Sequence, residues 1–195
     1  MMSRVKIYVI DNGGQWTHRE WRVLKYLGVH THILPNTTPF DELVEKDANG
    51  IVLSGGAPRI GLSEELGRCR EYLEKADFPI LGICAGHQFI ARFFGGRVEP
   101  AVVPEFGKVE LIIDKEHPIF SNVPKRSIVW TSHNDEVTLV PECFDVLAHS
   151  EGCDVQAIAH KEKPIFGLQF HPEVEHTEYG IQIFRNFVKI CEESI

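Results

Sequence analysis

Cys84 is flanked by glycines in Gly82-Ile-Cys-Ala-Gly86, where the apolar run beginning at Ile80 passes directly into an apolar helical pattern. Glycines two before and two after a nucleophile-type residue mark a sharp strand-to-helix turn, because a residue without a Cβ lets the chain take unusual angles and pack closely. Such an elbow lifts the residue at its tip clear of the sheet, as its serine version does in many hydrolases. A helix N-terminus also favours the thiolate, the nucleophilic form of a cysteine. A cysteine after a core strand reads equally well as buried structure, so the catalytic reading needs a base.

A base lies far downstream. Lys163-Pro-Ile-Phe-Gly-Leu-Gln-Phe-His-Pro-Glu173 is a second apolar strand that ends at His171, with Pro172 stopping the ladder. Glu173, two residues on, could return towards the imidazole. Thiol, imidazole and carboxylate form a set of nucleophile, base and orienter. In that set His171 takes the thiol proton and later delivers it to a leaving amine, while Glu173 holds the ring in one tautomer. Taken alone, His171 is also a hydrogen-bonded histidine at a strand end. Glu173, Glu175 and His176 raise a metal alternative, but the spacing is not His-Glu-x-x-His, Pro172 argues against a helix carrying both histidines, and no Cys-x-x-Cys pair occurs. No metal is expected. A third segment, Gly50-Ile-Val-Leu-Ser-Gly-Gly-Ala-Pro58, ends a short strand in Gly55-Gly56. Its backbone N–H groups could face a cleft as an oxyanion hole, with the N–H of Ala85 as second donor; alternatively the pair is only a loop.

These residues need a scaffold. Apolar strands at about residues 5–10, 30–34, 50–53 and 79–83 alternate with helices at about 17–27, 39–46, 63–75 and from the elbow to 94. Thr17-His-Arg-Glu20 resembles a capping box opening the first helix. The alternation predicts a parallel sheet covered by helices on both faces, with the motif loops at the carboxyl ends of the strands. Residues 107–114, 127–131, 145–149 and 155–160 read instead as antiparallel strands, expected to pack on the main domain rather than form a second one. A last helix from about residue 177 sets Ile181, Phe184, Phe187, Val188 and Cys191 on one face. Trp16 and Trp21 follow the first strand; they read as core, or as a docking surface with Arg19 and Arg22.

In chain order, Gly55-Gly56, the Cys84 elbow and Phe170-His-Pro-Glu173 resemble the class I (triad-type) glutamine amidotransferase domain, and the resemblance spans essentially residues 1–195 as a single domain. It implies a flavodoxin-like α/β fold: three layers, a mostly parallel central sheet with helices on both faces, plus additional antiparallel strands. It implies that Cys84 attacks the carboxamide of glutamine, with His171 and Glu173 completing the triad and Gly56 and Ala85 as oxyanion donors. It also assigns glutamine binding to Gly55, Gln88, Ser132, His133, Asn134 and Asp135. By composition alone, Gln88 would be a solvent-facing helix residue and residues 132–135 a polar turn. One departure is Ala57, where many members carry proline directly after Gly-Gly; here Pro58 comes one later, which bears on the oxyanion loop.

Asp11-Asn-Gly-Gly-Gln15, Trp130-Thr-Ser-His133 and His171-Pro-Glu-Val-Glu-His-Thr-Glu178 look most like the glutaminases that serve GMP synthesis. The chain stops where the amidotransferase pattern ends and carries neither a Ser-Gly-Gly-Val-Asp-Ser loop nor a Gly-x-x-x-x-Gly-Lys-Ser/Thr loop. The resemblance therefore implies no cofactor in this chain and a separate ATP pyrophosphatase subunit, with ATP and Mg expected there. Rival readings are an amidotransferase subunit for anthranilate or aminodeoxychorismate synthesis, a cysteine peptidase or γ-glutamyl hydrolase on the same scaffold, and a non-catalytic binding module.

The chain has 195 residues, 43% hydrophobic and 25% charged, with formal net charge −8. That suits one globular domain and opposes non-specific nucleic-acid binding, which needs a basic footprint. Residues 1–4 lead into a strand with no secretory core, no run reaches membrane-spanning length, and five cysteines without framework spacing suit a reducing cytoplasm. Cys69, Cys143, Cys153 and Cys191 lack the elbow context.

Overall fold

The structure, a computed structural model, describes residues 4–195; the reading of a leaderless start rests partly on residues 1–3, which lie outside the described residues. Along the chain run β1 (Ile7–Asn12), α1 (Thr17–Tyr26), β2 (Ile33–Pro35), α2 (Phe40–Glu45), β3 (Gly50–Gly56), α3 (Cys69–Lys75), β4 (Ile80–Ile83), α4 (Ala85–Phe93), β5 (Arg97–Ile113), β6 (Arg126–Leu139), β7 (Phe144–Ser150), β8 (Cys153–His160), β9 (Ile165–Leu168) and α5 (Gly180–Glu193).

The short apolar strands are buried on both faces, as parallel strands between helices must be. In β1, Ile7 and Val9 pack with Leu24 of α1 and Phe184 and Phe187 of α5. Tyr8 and Ile10 point the other way, into a cluster with Leu43 of α2, Leu73 of α3 and Phe89 of α4. Three layers result, and the expected α/β fold is what the chain adopts.

All nine strands join one sheet, in the order β2-β1-β3-β4-β9-β8-β7-β5-β6. The pairs from β2 to β9 are parallel, whereas β8, β7, β5 and β6 pair antiparallel. The middle section therefore continues the central sheet rather than packing onto it. The last strand makes this possible: β9 is parallel to β4 on one edge and antiparallel to β8 on the other.

Four local expectations change. The helix expected over 63–75 is confined to Cys69–Lys75, because Gly67 sits at φ +48° with its Cα pressed on Asn36 (an added Cβ would lie 2.5 Å from the Asn36 Cγ). A left-handed residue ends helical propagation. The last helix starts at Gly180, not near 177, since the Thr177 hydroxyl is engaged with the carbonyl of His171. Its buried face is Ile183, Phe184, Phe187, Val188 and Cys191, and Ile181, at the margin of that face, is 47% exposed. The capping box does not form: the N-cap of α1 is Trp16, with no side-chain cap. Finally, residues 132–135 are not a turn but part of strand β6.

Candidate active site

Cys84 connects β4 to α4 at φ +52°, ψ −107°, a conformation that costs a non-glycine residue about 1–3 kcal/mol and persists only where its surroundings impose it. The flanking glycines impose it by contact, not by unusual angles of their own. A Cβ on Gly86 would collide with the Leu53 carbonyl oxygen of β3, and one on Gly82 would lie 2.5 Å from Ile90 Cδ1. Both positions exclude a side chain, so α4 presses against the sheet and the strain falls on the cysteine itself. Its sulfur is half-buried and sits 3.7 Å from the Ser132 carbonyl and 3.6 Å from Gln169 Nε2.

His171 lies three residues beyond the end of β9. The edge of β6 holds it: its N–H donates to the Trp130 carbonyl at 2.8 Å and its carbonyl accepts from Thr177 Oγ1 at 2.7 Å. The Thr177 hydroxyl oxygen in turn accepts from the Trp130 N–H, and Glu178 accepts from the Ile128 N–H. The segment after the histidine thus staples it to β6. On the ring, Nδ1 meets Glu173 Oε1 at 2.5 Å, and the imidazole lines one cavity with Cys84. Burial of the ring opposes its charge, but the Glu173 carboxylate and the Cys84 contact outweigh burial and raise the imidazole well above the usual histidine range. Gly55 is wedged between the two groups: a Cβ there would lie 3.3 Å from His171 Cε1 and 3.4 Å from Cys84 Cβ.

Two cavities meet at the sulfur. One, of about 270 Å³, is lined by Trp16, Glu20, Gly55, Gly56, Cys84, His171 and Glu173 among others. The other, of about 220 Å³, is lined by Arg59, Ala85, Gln88 and residues 132–135. The structure therefore gathers the ten other sequence-predicted residues around Cys84, though not all in the expected posture. Gln88 is buried, its amide donating to the Asp135 carbonyl at 2.8 Å and to Gln169 Oε1 at 3.0 Å. Along β6 the two-residue alternation sends His133 and Asp135 inwards and leaves Ser132 and Asn134 more open. Both ring nitrogens of His133 are taken, Nδ1 by the Asp135 carbonyl and Nε2 by Glu105, each at 2.9 Å. The Asp135 carboxylate accepts from Arg59 Nε at 2.9 Å and Nη2 at 2.5 Å, and these bonds hold it below the usual carboxylate range. Glu175 and His176 are exposed. Among the described residues, Glu105, His133 and Cys153 form the one cluster with metal-ligand spacing, and their atoms are engaged in protein hydrogen bonds.

Sequence reasoning missed Arg59, Gln169, Trp16 and Glu20 as site residues. Trp16 is neither core nor free: its ring lies edge-on to His171, centroids 4.7 Å apart. Trp21 is partly buried, its indole donating to the Thr31 carbonyl. Glu20 had a readable signal, since it follows Thr17 by three residues and precedes Leu24 by four on the buried stripe of α1.

The sequence matches the family described as "Glutamine amidotransferase class-I" over residues 8–191. The chain belongs to this family. Relatives in its GMP synthase branch are similar over almost their whole length. A glutamine-hydrolyzing GMP synthase subunit from Thermoplasma acidophilum is 52% identical over 96% of this chain and 93% of its own. Its counterpart from Pyrococcus furiosus is 50% identical over 96% and 99%. A crystal structure described as that of a GMP synthase subunit protein from T. acidophilum superposes with a TM-score of 0.91 at 50% identity, covering 99% of this chain and 96% of that one. A Thermotoga maritima glutamine amidotransferase, at 21% identity and TM-score 0.72 over 98% and 84%, shares the fold.

Proposed function

We propose that this amidotransferase is the glutaminase subunit of a two-subunit GMP synthase. Cys84, His171 and Glu173 are its triad. The Cys84 sulfur attacks the carboxamide carbon of glutamine, and its proton passes to His171. The backbone N–H groups of Gly56 and Ala85 stabilise the oxyanion. His171 then protonates the departing nitrogen, ammonia leaves, and water hydrolyses the glutamyl thioester to glutamate. The observation that carries this reading is the setting of one ring: Glu173 occupies Nδ1, and the imidazole and the strained Cys84 flank Gly55 at one cavity. That is the base-and-orienter geometry acyl transfer needs.

The cavity between Arg59, Gln88 and β6 takes the amino-acid end of glutamine. Arg59, fixed by Asp135, supplies a cation at its wall, and Gly55, Ser132, Asn134 and the backbone at His133 frame the rest. The relatives at about 50% identity are each named as one subunit of their enzyme, which supports a separate synthetase chain. That chain binds ATP and Mg, activates xanthosine monophosphate and receives the ammonia; this one needs no cofactor. The five cysteines are free, in keeping with a single domain working in a reducing cytoplasm, and no helix among the described residues is long and apolar enough to cross a membrane.

The test is co-purification with the candidate synthetase, followed by assays of GMP formation from glutamine and from ammonia. Both should proceed, and glutaminase activity should depend on Cys84. Turnover of γ-glutamyl peptides without turnover of glutamine would overturn the assignment in favour of a hydrolase.

A further inference from the structure

Glu20 is a carboxyl group in an unusual place. It lies on the buried stripe of α1 and is 1% exposed. Both of its oxygens are buried without a hydrogen-bond partner, and it lines the same cavity as Cys84, His171 and Glu173. Glu173 mirrors it: Oε1 holds the imidazole, whereas Oε2 is buried and unpartnered. Two carboxyls thus line one cavity with one imidazole, and three of their four oxygens have no hydrogen-bond partner. Like charge disfavours ionising two buried carboxyls at one site. Glu173 is hydrogen-bonded to the ring; Glu20 is not.

We propose that Glu20 is a positioning residue of the glutaminase, held as a neutral acid behind the His171–Glu173 pair and presenting its O–H to the unpaired oxygen of Glu173. The inference rests on the glutaminase reading above. A donor at that oxygen fixes the carboxylate that fixes the ring, and it leaves a single negative charge against the imidazole. The charged and titratable groups that act on Glu20 are Asp11 near the end of β1, Cys84 at the elbow, and His171 and Glu173 after β9. Burial first, then Glu173, raises Glu20 well above the usual carboxylate range, with only His171 acting against it among these. When Glu20 ionises as pH rises, Glu173 loses its donor and a second charge tightens the proton on His171. The rate should fall on that high-pH side.

The test compares Glu20→Leu and Glu20→Gln with the native complex, using two readouts. One is the steady-state glutaminase rate. The other is the pH dependence of Cys84 alkylation by iodoacetamide, followed by mass spectrometry of the Cys84 peptide, which requires no turnover. Glu20→Leu, similar in size and apolar, should lower kcat about tenfold with KM nearly unchanged. Glu20→Gln, which keeps a donor but has no carboxyl proton to lose, should recover most of that loss and shift the pH midpoint of the alkylation profile. Native kcat in Glu20→Leu, or an alkylation midpoint unchanged in Glu20→Gln, would show a merely space-filling residue and overturn the proposal. Failure of the native complex to hydrolyse glutamine would instead overturn the glutaminase reading, while the alkylation profiles would still decide the role of Glu20.

Discussion

Among the described residues there are two buried histidine–glutamate pairs, and their chemistry differs although their composition does not. In the parallel half, His171 gives one ring nitrogen to Glu173 and shares a cavity with the Cys84 thiol. In the antiparallel half, His133 spends both nitrogens, one on Glu105 and one on a backbone carbonyl. Glu105 is further saturated by Ser150 at 2.7 Å and Gln156 at 2.8 Å. A base needs a free lone pair facing a reactant. The first pair has one, so it can move a proton. The second has none, so it can only hold strand β6 in register against β5, opposite Glu105. A histidine beside a glutamate is therefore not a catalytic signature until its second nitrogen has been traced.

Substitutions should separate the two pairs. The largest effect belongs to Cys84→Ala or His171→Ala. Each should reduce glutamine-dependent GMP formation by about 10⁴-fold or more, while ammonia-dependent formation by the same complex persists; parallel assays with the two nitrogen donors check this. Glu173→Gln should cost about 10²–10⁴-fold in kcat, because the ring loses its orienter. Since Glu173 is the main influence raising His171, the limb of the pH–rate profile that reports the imidazole should move to lower pH in that variant.

Glu105→Gln should behave oppositely, with little change in the pH–rate profile but a loss of about 1–3 kcal/mol in stability, measurable by urea unfolding. The sign of its pH dependence follows from the ionised form being favoured. Burial pushes Glu105 up, but the His133 and Ser150 bonds outweigh it, and the carboxyl rests below its usual range. Its contribution is then complete above the ordinary carboxylate value and is lost as pH falls through the lowered one. The stability gap between native and Glu105→Gln proteins should narrow in acid. The smallest effect is expected at Trp16→Ala, which removes an edge-on ring from His171. Such contacts are worth about 0.5–1.5 kcal/mol, so kcat should fall roughly two- to tenfold. Unchanged affinity for the synthetase would remove Trp16 from the docking surface.

Much of the site was legible in the chain because it depends on short-range rules. The glycine spacing around Cys84, the strand that stops at Pro172, and the alternation of apolar strands with helices are all local. The orientation of side chains over longer distances was not legible. The Ser132–Asp135 segment reads as a polar turn, yet β5 pairs with it and converts it to strand, so alternation decides which of its four side chains face inwards. Glu20 reads as a cap residue, yet the helix starts at Thr17 with Trp16 as its N-cap and turns that carboxyl into the core.

The sequence alone determined which atoms can react and what kind of sheet presents them, since nucleophile, base, strand period and helix period are properties of residues and their spacing. Tertiary packing decided which histidine keeps a nitrogen free, that Cys84 rather than its glycines carries the backbone strain, and that a second buried carboxyl, Glu20, lines the cavity of the His171–Glu173 pair. Those outcomes depend on where β3, β6 and α1 meet the elbow. Such meetings are set by the summed burial of the whole chain, which no local stretch encodes.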